Sequence, residues 1–431
     1  MTGPAATAPS PGVRRQYVRF LDAIDPDVMR PLLLAALGGD AEEGCEVLDA
    51  KYEPGKPAAV LYRLGSRLVR GTVAPDGDAP GVPVAEGIGA TCFPDDPGLA
   101  TLPAVVDPRT FVPALDAALP DTVAEARMEL LRYRPGRRVT FLVTAAVRHG
   151  GTTTPTRFVA KVYHDPAKAA AVAAEGRALL QAPADPDLTL APVLAHLPEL
   201  AVVVQGYLPG HPLDVAVSPA SADPGLTTGV ARAGRALAAL HRRSVPAPRP
   251  RLVDNELRRF VARAGAVRSV DAAAGDTLLG LARRLLGWRR PDGTLSVVHG
   301  DCKPDQFLLQ ADHVALLDLD HCGLADPASD VGTFVASLRQ EALRTDHSAL
   351  ATAARLGTSF VDGYTGAAAP AGVTATARPA GGLPARAEFY VAVALMRKAL
   401  RAHARAPLSP LTRDYVEDAH WVLDHLDGRQ R

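Results

Sequence analysis

Apolar positions along this chain fall into two kinds of pattern. The first is the short unbroken run bounded by polar turns. Val297-Val298, Phe307-Leu308-Leu309 and Val314-Ala315-Leu316-Leu317 are of this kind and predict buried strands. The polar loop His299-Gly300-Asp301-Cys302-Lys303-Pro304-Asp305-Gln306 and the acid Asp318 then lie at neighbouring strand ends. The second pattern is helical spacing. Phe20, Leu21, Ile24, Met29, Leu32 and Leu33 predict a helix over residues 17–36, with Pro26 and Pro31 breaking it into shorter pieces. Residues 166–181 are Ala-rich and open on Pro166, a good first-turn residue. In residues 227–241, Val230, Ala233, Leu237 and Leu240 share one face. Further helices are expected over residues 255–264, 272–286, 331–338, 385–404 and 411–426. Residues 1–15 are rich in Pro, Ala, Ser and Gly and predict a mobile tail; residues 366–384, rich in Ala, Gly and Pro, predict a flexible loop.

The chain also echoes itself. Lys51-Tyr52-Glu53-Pro54-Gly55-Lys56 is matched by Arg132-Tyr133-Arg134-Pro135-Gly136-Arg137, and strand-like residues follow both copies. Each copy predicts strand, Pro-Gly turn, strand. Laid together with one gap, the first copy has Gly71 where the second has Lys161. Pro-Gly turns between strands are common, so chance is the competing account of the echo.

Composition narrows the function classes. A length of 431 residues suits two or three domains with ample core. The formal net charge is zero and the pI about 7.2, which indicates no global nucleic-acid-binding surface. Aromatic residues are 5%, too few to suggest stacking platforms for single strands. Cys45, Cys92, Cys302 and Cys322 form no close pair, which argues against zinc and for a reducing compartment. Cys302 reads either as a small buried filler or as a redox sensor inside the loop. No apolar stretch follows Arg14-Arg15, and no apolar run approaches the roughly 18 residues of a membrane span. The expectation is a cytoplasmic protein without membrane or nucleic-acid partners; its oligomeric state is left open.

Two acids on loops at neighbouring strand ends suit phosphoryl transfer. One carboxylate orients the attacking hydroxyl and another holds magnesium on the triphosphate. The surrounding residues extend the pattern: His299-Gly300-Asp301, then Asp318-Leu319-Asp320, then Asp326-Pro327 and Asp330. This set resembles the aminoglycoside phosphotransferase and choline kinase family, relatives of the protein kinases. The resemblance spans roughly residues 125–405. It departs from the family at Gln306, where the family has Asn, and at Asp320, an additional carboxylate.

The resemblance implies an α+β, bilobal protein-kinase-like fold with an additional N-terminal α/β module. The implied organisation is a tail over residues 1–15, a helix-plus-sheet module over 16–120, a small lobe over 121–205 and a large lobe over 206–431. It implies ATP and Mg as cofactors. Asp301 would be the base, and Lys303 would either stabilise the transferring phosphoryl group or pair with a neighbouring acid. Gln306 and Asp318 would hold the metal. Asp320 would be a further ligand or a loop acid bonded to backbone N–H groups. Lys161 would reach the α and β phosphates, aimed by an ion pair with Glu175. Arg137 and Arg138 lie where kinases fold a loop over the nucleotide, and would add charge there or be solvated turn arginines. Gln205, Tyr207 and Leu208 sit at the implied hinge, where backbone groups would meet adenine. His299 would brace the loop, Asp330 would cap a helix or tether the loop, and Asp326 would be structural. His241 is expected at a helix end. The helices of the large lobe would select the acceptor.

The implied function is transfer of the γ-phosphate to a hydroxyl of a small polar metabolite such as a sugar, amino sugar or aminoglycoside. One alternative is a Ser/Thr kinase acting on a precursor peptide, which the extra module would suit. Another is a nucleotide-binding pseudokinase, suggested by Gln306.

Overall fold

The computed structural model describes residues 11–213, 217, 224–244, 250–288, 295–368 and 383–430. Two helices open it, Pro11–Ala23 (α1) and Pro26–Leu37 (α2). Helix α1 therefore begins inside the segment expected to be a tail; only residues 1–10 of that expectation lie outside the described residues. Pro26 does separate two helices, but Pro31 sits within α2. Proline there forfeits a hydrogen bond to the carbonyl of Asp27, and Asp27 is exposed, so water can replace that bond.

Strands Cys45–Lys51 (β1), Ala58–Leu64 (β2), Arg67–Val73 (β3), Val82–Ala85 (β4) and Ile88–Cys92 (β5) form an antiparallel sheet in the order β1-β2-β3-β5-β4. Helices α1 and α2 cover it through Phe20, Met29 and Leu33, packed on Tyr52, Val60 and Tyr62. Gly71, the echo's counterpart of Lys161, has no room for a side chain. A Cβ there would come within 2.7 Å of the Tyr62 ring.

Helices Leu102–Val106 (α3) and Pro108–Ala118 (α4) follow, then strands Thr122–Arg134 (β6), Arg138–His149 (β7) and Thr152–Tyr163 (β8) and helix Pro166–Leu180 (α5). Strands Leu188–Leu190 (β9), Val193–Leu197 (β10) and Val202–Gly206 (β11) come next, and the second sheet runs β10-β11-β8-β7-β6. Although grouped in sequence with the first sheet, α3 and α4 pack on this second one: Leu102, Val105, Phe111 and Leu115 meet Val139, Phe141, Val143, Ala160 and Val162. Strand alternation then turns the intervening residues to the opposite face. Arg138 stands directly across from Tyr163 and Thr140 from Lys161, so Arg138, Lys161 and Tyr163 share the face away from α4. Helices α2, α4 and α5 each start at an Asp-Pro pair. Asp25, Asp107 and Asp165 cap them by accepting backbone N–H bonds, and the proline supplies first-turn φ.

The remaining chain is a helical lobe. It contains strand His211–Pro212 (β12), helices Pro224–His241 (α6), Val253–Val270 (α7) and Ala272–Gly287 (α8), and strands Ser296–Val298 (β13), Phe307–Leu309 (β14), Val314–Leu316 (β15) and Gly323–Ala325 (β16). Helices Ala328–Thr345 (α9), Leu350–Ala368 (α10), Leu383–Arg405 (α11) and Leu411–Gln430 (α12) complete it. Most run longer than their apolar stripes alone suggested. The flexible loop expected over 366–384 shrinks at both ends, because α10 reaches Ala368 and α11 starts at Leu383; residues 369–382 lie outside the described residues.

Strand β13 pairs with β16, and β14 with β15, antiparallel. Phe307, the first residue of β14, packs edge-on against Phe334, which stacks on Phe360 at 3.7 Å. The loop after β13 is thereby anchored in the lobe's core. Among the described residues no helix is long and apolar enough to cross a membrane. Helices α6 and α10 meet backbone to backbone at Gly234, where a Cβ would strike the carbonyl oxygen of Phe360 and lie 2.8 Å from the backbone N of Tyr364. Backbone cannot step aside as a side chain can. Gly234→Ala is expected to cost about 1–3 kcal/mol, as overpacked cores do. Chemical denaturation checks this, and an unchanged midpoint would mean that the helices separate freely.

Candidate active site

Strand β13 ends at Val298 and delivers His299, Gly300 and Asp301 into the cleft. Gly300 has φ of 79°, and a Cβ there would strike the carbonyl of His321 and come 2.8 Å from Arg251 Nη1, so only glycine fits. Asp330, 1% exposed, tethers the loop: its Oδ2 accepts from the backbone N–H of His299 at 2.6 Å and its Oδ1 from that of Gly300 at 2.9 Å. His241, at the end of α6, donates from Nε2 to the same carboxylate at 3.0 Å, and its Nδ1 lies 2.8 Å from the Tyr364 hydroxyl. Burial pushes the Asp330 carboxyl up, but the bond from His241 and the neighbouring donors outweigh it and hold it below its ordinary value. Of the two roles expected for Asp330, the tether is the one observed. Asp326 accepts from the N–H of Ala328 at 2.9 Å and pairs with Arg386 at 3.1 Å.

His299 links the loop to the second acid. The N–H of Asp301 donates to its Nδ1 at 3.2 Å, which places the ring proton on Nε2; that proton is donated to the Leu317 carbonyl at 2.7 Å. Leu317 precedes Asp318, which adopts left-handed φ and ψ of 57° and 53°. Aspartate tolerates this region better than most residues, yet it is still a sparsely populated backbone that surrounding contacts must hold.

Those contacts come from the second sheet. Arg138 donates to Asp318 Oδ1 at 2.8 Å and to Oδ2 at 3.0 Å, and also pairs with Asp320. Lys161 Nζ lies 3.0 Å from Asp318 Oδ1 and 2.8 Å from Asp320 Oδ1. The Tyr163 hydroxyl donates to Asp320 Oδ2 at 2.8 Å, and Lys168 of α5 donates to the Asp320 carbonyl at 2.7 Å. Burial raises both carboxyls, but Lys161 and Arg138 overcome it; Asp318 is held well below the usual carboxylate range and Asp320 below its ordinary value. The result is a buried cluster of two carboxylates and two cations, its formal charges balanced.

Three expectations are corrected here. Lys161 and Glu175 do not pair within 4.0 Å; the ammonium goes to Asp318 and Asp320, and Lys168 is the α5 residue that reaches this turn. Glu175 is half-buried, its carboxyl raised by burial and partly compensated by Lys168 and Arg251. Arg137 and Arg138 also part company. Arg138 is buried in the cluster, whereas Arg137 is exposed in the turn before β7. Asp320 is bonded to side chains of Lys161, Arg138 and Tyr163 rather than to backbone N–H groups.

On the loop side, Lys303 Nζ lies 4.0 Å from Asp301 Oδ2 and 3.1 Å from Asp305 Oδ2. Gln306 is buried, and its Nε2 donates to Asp305 Oδ1 at 2.9 Å. Asp301 and Asp318 both act electrostatically on Arg134 and on His321, so both acids lie near these two side chains. Gln205, one residue before the end of β11, stands opposite Val159 of β8, and Tyr207 and Leu208 follow half-buried, the Tyr207 ring beneath Arg157 at 4.1 Å. Cys302 is fully buried and burial pushes its thiol well above the ordinary value, which fits an inert filler and not a redox sensor.

Sequence reasoning missed Arg134, Tyr163 and Lys168. Tyr163 had a signal, since it stands two residues beyond Lys161 on one strand face. Among the described residues no group of three or more His, Cys, Asp or Glu side chains could hold a metal. Asp318 and Asp320 lie side by side, bridged by Lys161, and offer carboxylate oxygens, while the Gln306 side chain is bonded to Asp305 on the loop side. Those carboxylate oxygens fit a hard cation completed by phosphate oxygens, as magnesium at nucleotide sites commonly is.

The sequence matches the family described as "Phosphotransferase enzyme family" over residues 137–369. The fold is similar to a solved choline kinase from Cryptosporidium parvum Iowa II: 11% identical, covering 71% of this chain and 91% of that one, TM-score 0.51. A macrolide 2'-phosphotransferase, MphH, from Brachybacterium faecium is 17% identical, with 68% and 91% covered and a TM-score of 0.42. A putative fructosamine-3-kinase from Thermobifida fusca is 14% identical, with 73% and 98% covered and a TM-score of 0.45. No curated protein matches. The two lobes are those of an α+β protein-kinase-like fold.

Proposed function

This chain belongs to the phosphotransferase enzyme family, and from that premise we propose that it moves the γ-phosphate of ATP to a hydroxyl of a small polar metabolite such as a sugar, amino sugar or aminoglycoside. The observation that carries the reading is the convergence of Lys161 and Arg138 on Asp318 and Asp320, beside the loop bearing Asp301. In this reading the two cations turn from the carboxylates to nucleotide phosphates when these arrive. Asp318, Asp320 and Gln306 would hold magnesium, which supplies charge neutralisation on the phosphates. Asp301 would accept a hydrogen bond from the acceptor hydroxyl. The acceptor O–P bond forms, the bond from phosphorus to the β-phosphate oxygen breaks, and the hydroxyl proton passes to the Asp301 carboxylate late in transfer. Lys303 would stabilise the charge of the moving group. Gln205, Tyr207 and Leu208 would offer backbone groups to adenine. The test is label transfer from γ-labelled ATP across sugars, amino sugars and aminoglycosides. A labelled product supports the reading, and its absence across the panel and a peptide set counts against it.

One observation favours a precursor-peptide acceptor as a second reading. The N-terminal sheet is fastened to the end of α11: the N–H of Tyr52 donates to the Ala404 carbonyl at 2.8 Å, and Arg405 pairs with Asp49 at 2.9 Å. A sheet held there would suit partner binding beside the acceptor helices. A kinase of that kind would transfer label only when its peptide is present.

A further inference from the structure

A cavity of about 410 Å³ opens between α7, α9, α11 and the loop carrying Gly300, one residue from Asp301. Its polar lining includes Arg251, Asn255, Glu256, Arg259, Tyr390 and Arg397. The lining is short of negative charge. Arg397 is matched by Glu256 at 2.8 Å. Asp330 also borders the cavity, but its oxygens serve His299, Gly300 and His241. Arg251 donates only to the Cys322 carbonyl, at 3.1 Å, and Arg259 to the Asn255 carbonyl, at 3.1 Å. Neither has an acid within ion-pair distance among the described residues; Glu175 acts on Arg251 only at longer range, so the Arg259 charge is unmatched and that of Arg251 only partly matched. Helix α11 extends the pattern. Arg397, Arg401 and Arg405 recur every fourth residue on one face, and Arg401 is exposed with no ion pair among the described residues. Asp301 acts electrostatically on both Arg397 and Arg401, so this basic face runs beside the catalytic loop.

A cleft lined by one sign of charge concentrates ligands of the other sign and repels those of its own. Guanidinium groups also match carboxylate and phosphate oxygens in paired hydrogen bonds. We propose that the acceptor carries a carboxylate or phosphate beside the hydroxyl that is phosphorylated, and that Arg251 and Arg259 receive this anion. The inference rests on the phosphotransfer reading only in taking the cavity beside Asp301 as the acceptor site. Within that reading it selects acidic sugars, or acidic peptides, over aminoglycosides.

The test is calorimetric titration of the full chain, saturated with magnesium and a β,γ-imido ATP analogue. The ligands are glucose, glucosamine, glucuronate and glucose 6-phosphate, with a seryl peptide in acidic and neutral versions to separate the two sources of anion. At least one acidic ligand is expected to bind about tenfold or more tightly than its neutral counterpart, and glucosamine the weakest, with the preference shrinking as salt is raised. Arg259 is exposed, so Arg259→Gln should fold and bring the acid-to-neutral ratio close to one. Equal or tighter binding of the neutral or cationic members, or no binding by any acidic member, overturns the inference. ADP release from ATP in parallel samples reads the phosphotransfer proposal separately. ADP formed with the opposite charge order sinks only the present inference, whereas acid preference without ADP sinks only the earlier one.

Discussion

Replacing Asp301 by asparagine is expected to slow phosphate transfer by about 10²–10⁴-fold, the usual contribution of a positioned general base. The substitution keeps the side chain's shape, and what holds the loop does not depend on the carboxylate. The backbone N–H of Asp301 is bound by His299, and the preceding residues are bound by Asp330. What disappears is the proton acceptor and the negative charge 4.0 Å from Lys303. Nucleotide affinity should therefore change little, because the nucleotide groups are assigned to the Lys161, Arg138 and Asp318 side of the cleft. Single-turnover transfer and nucleotide titration on the same variant check both halves. Transfer within a few-fold of wild type would remove Asp301 from the chemistry.

Asp330→Ala should have the largest effect on stability. It strips a fully buried carboxylate that satisfies the backbone N–H groups of His299 and Gly300 and pairs with His241. Removing one member of a buried, hydrogen-bonded charged network costs about 3–5 kcal/mol. Chemical denaturation should register a loss of that size. Asp330→Asn should recover part of it, since one amide oxygen can still accept from one of the two N–H groups. A midpoint equal to wild type in the alanine variant would show that the loop is held by its strands alone.

How much of this was legible in the sequence follows from the range of each interaction. The loop after β13, its two flanking strands and the acids Asp301, Asp318 and Asp330 are set by spacings of a few to a few tens of residues. Short apolar runs and polar punctuation report such spacings directly. The choice of partner for Lys161 is different. Asp318, Asp320 and Glu175 are all acids that the sequence offers as partners, and the choice depends on how α5 packs on the sheet. Here Lys168 takes the α5 position beside the Asp320 carbonyl. The separation of Arg137 from Arg138 was legible in principle. Val139, Phe141 and Val143 claim one face of β7 for the core, which sends Arg138 to the other, while Arg137 belongs to the Pro135-Gly136 turn. The cations along α11 carried no sequence signal, because Arg397 and Arg401 acquire meaning only when α11 lies against the loop of Asp301.

The central claim is that Asp318 and its neighbours form a nucleotide site dependent on a divalent ion. The most direct measurement is the affinity of the full chain for the imido ATP analogue with and without magnesium, in wild type and in Asp318→Ala. Magnesium is expected to tighten binding by about tenfold or more in the wild type, a difference of about 1.4 kcal/mol or above, and to have little effect in the variant. Equal affinities with and without magnesium in the wild type, or a magnesium effect undiminished in Asp318→Ala, would contradict the account.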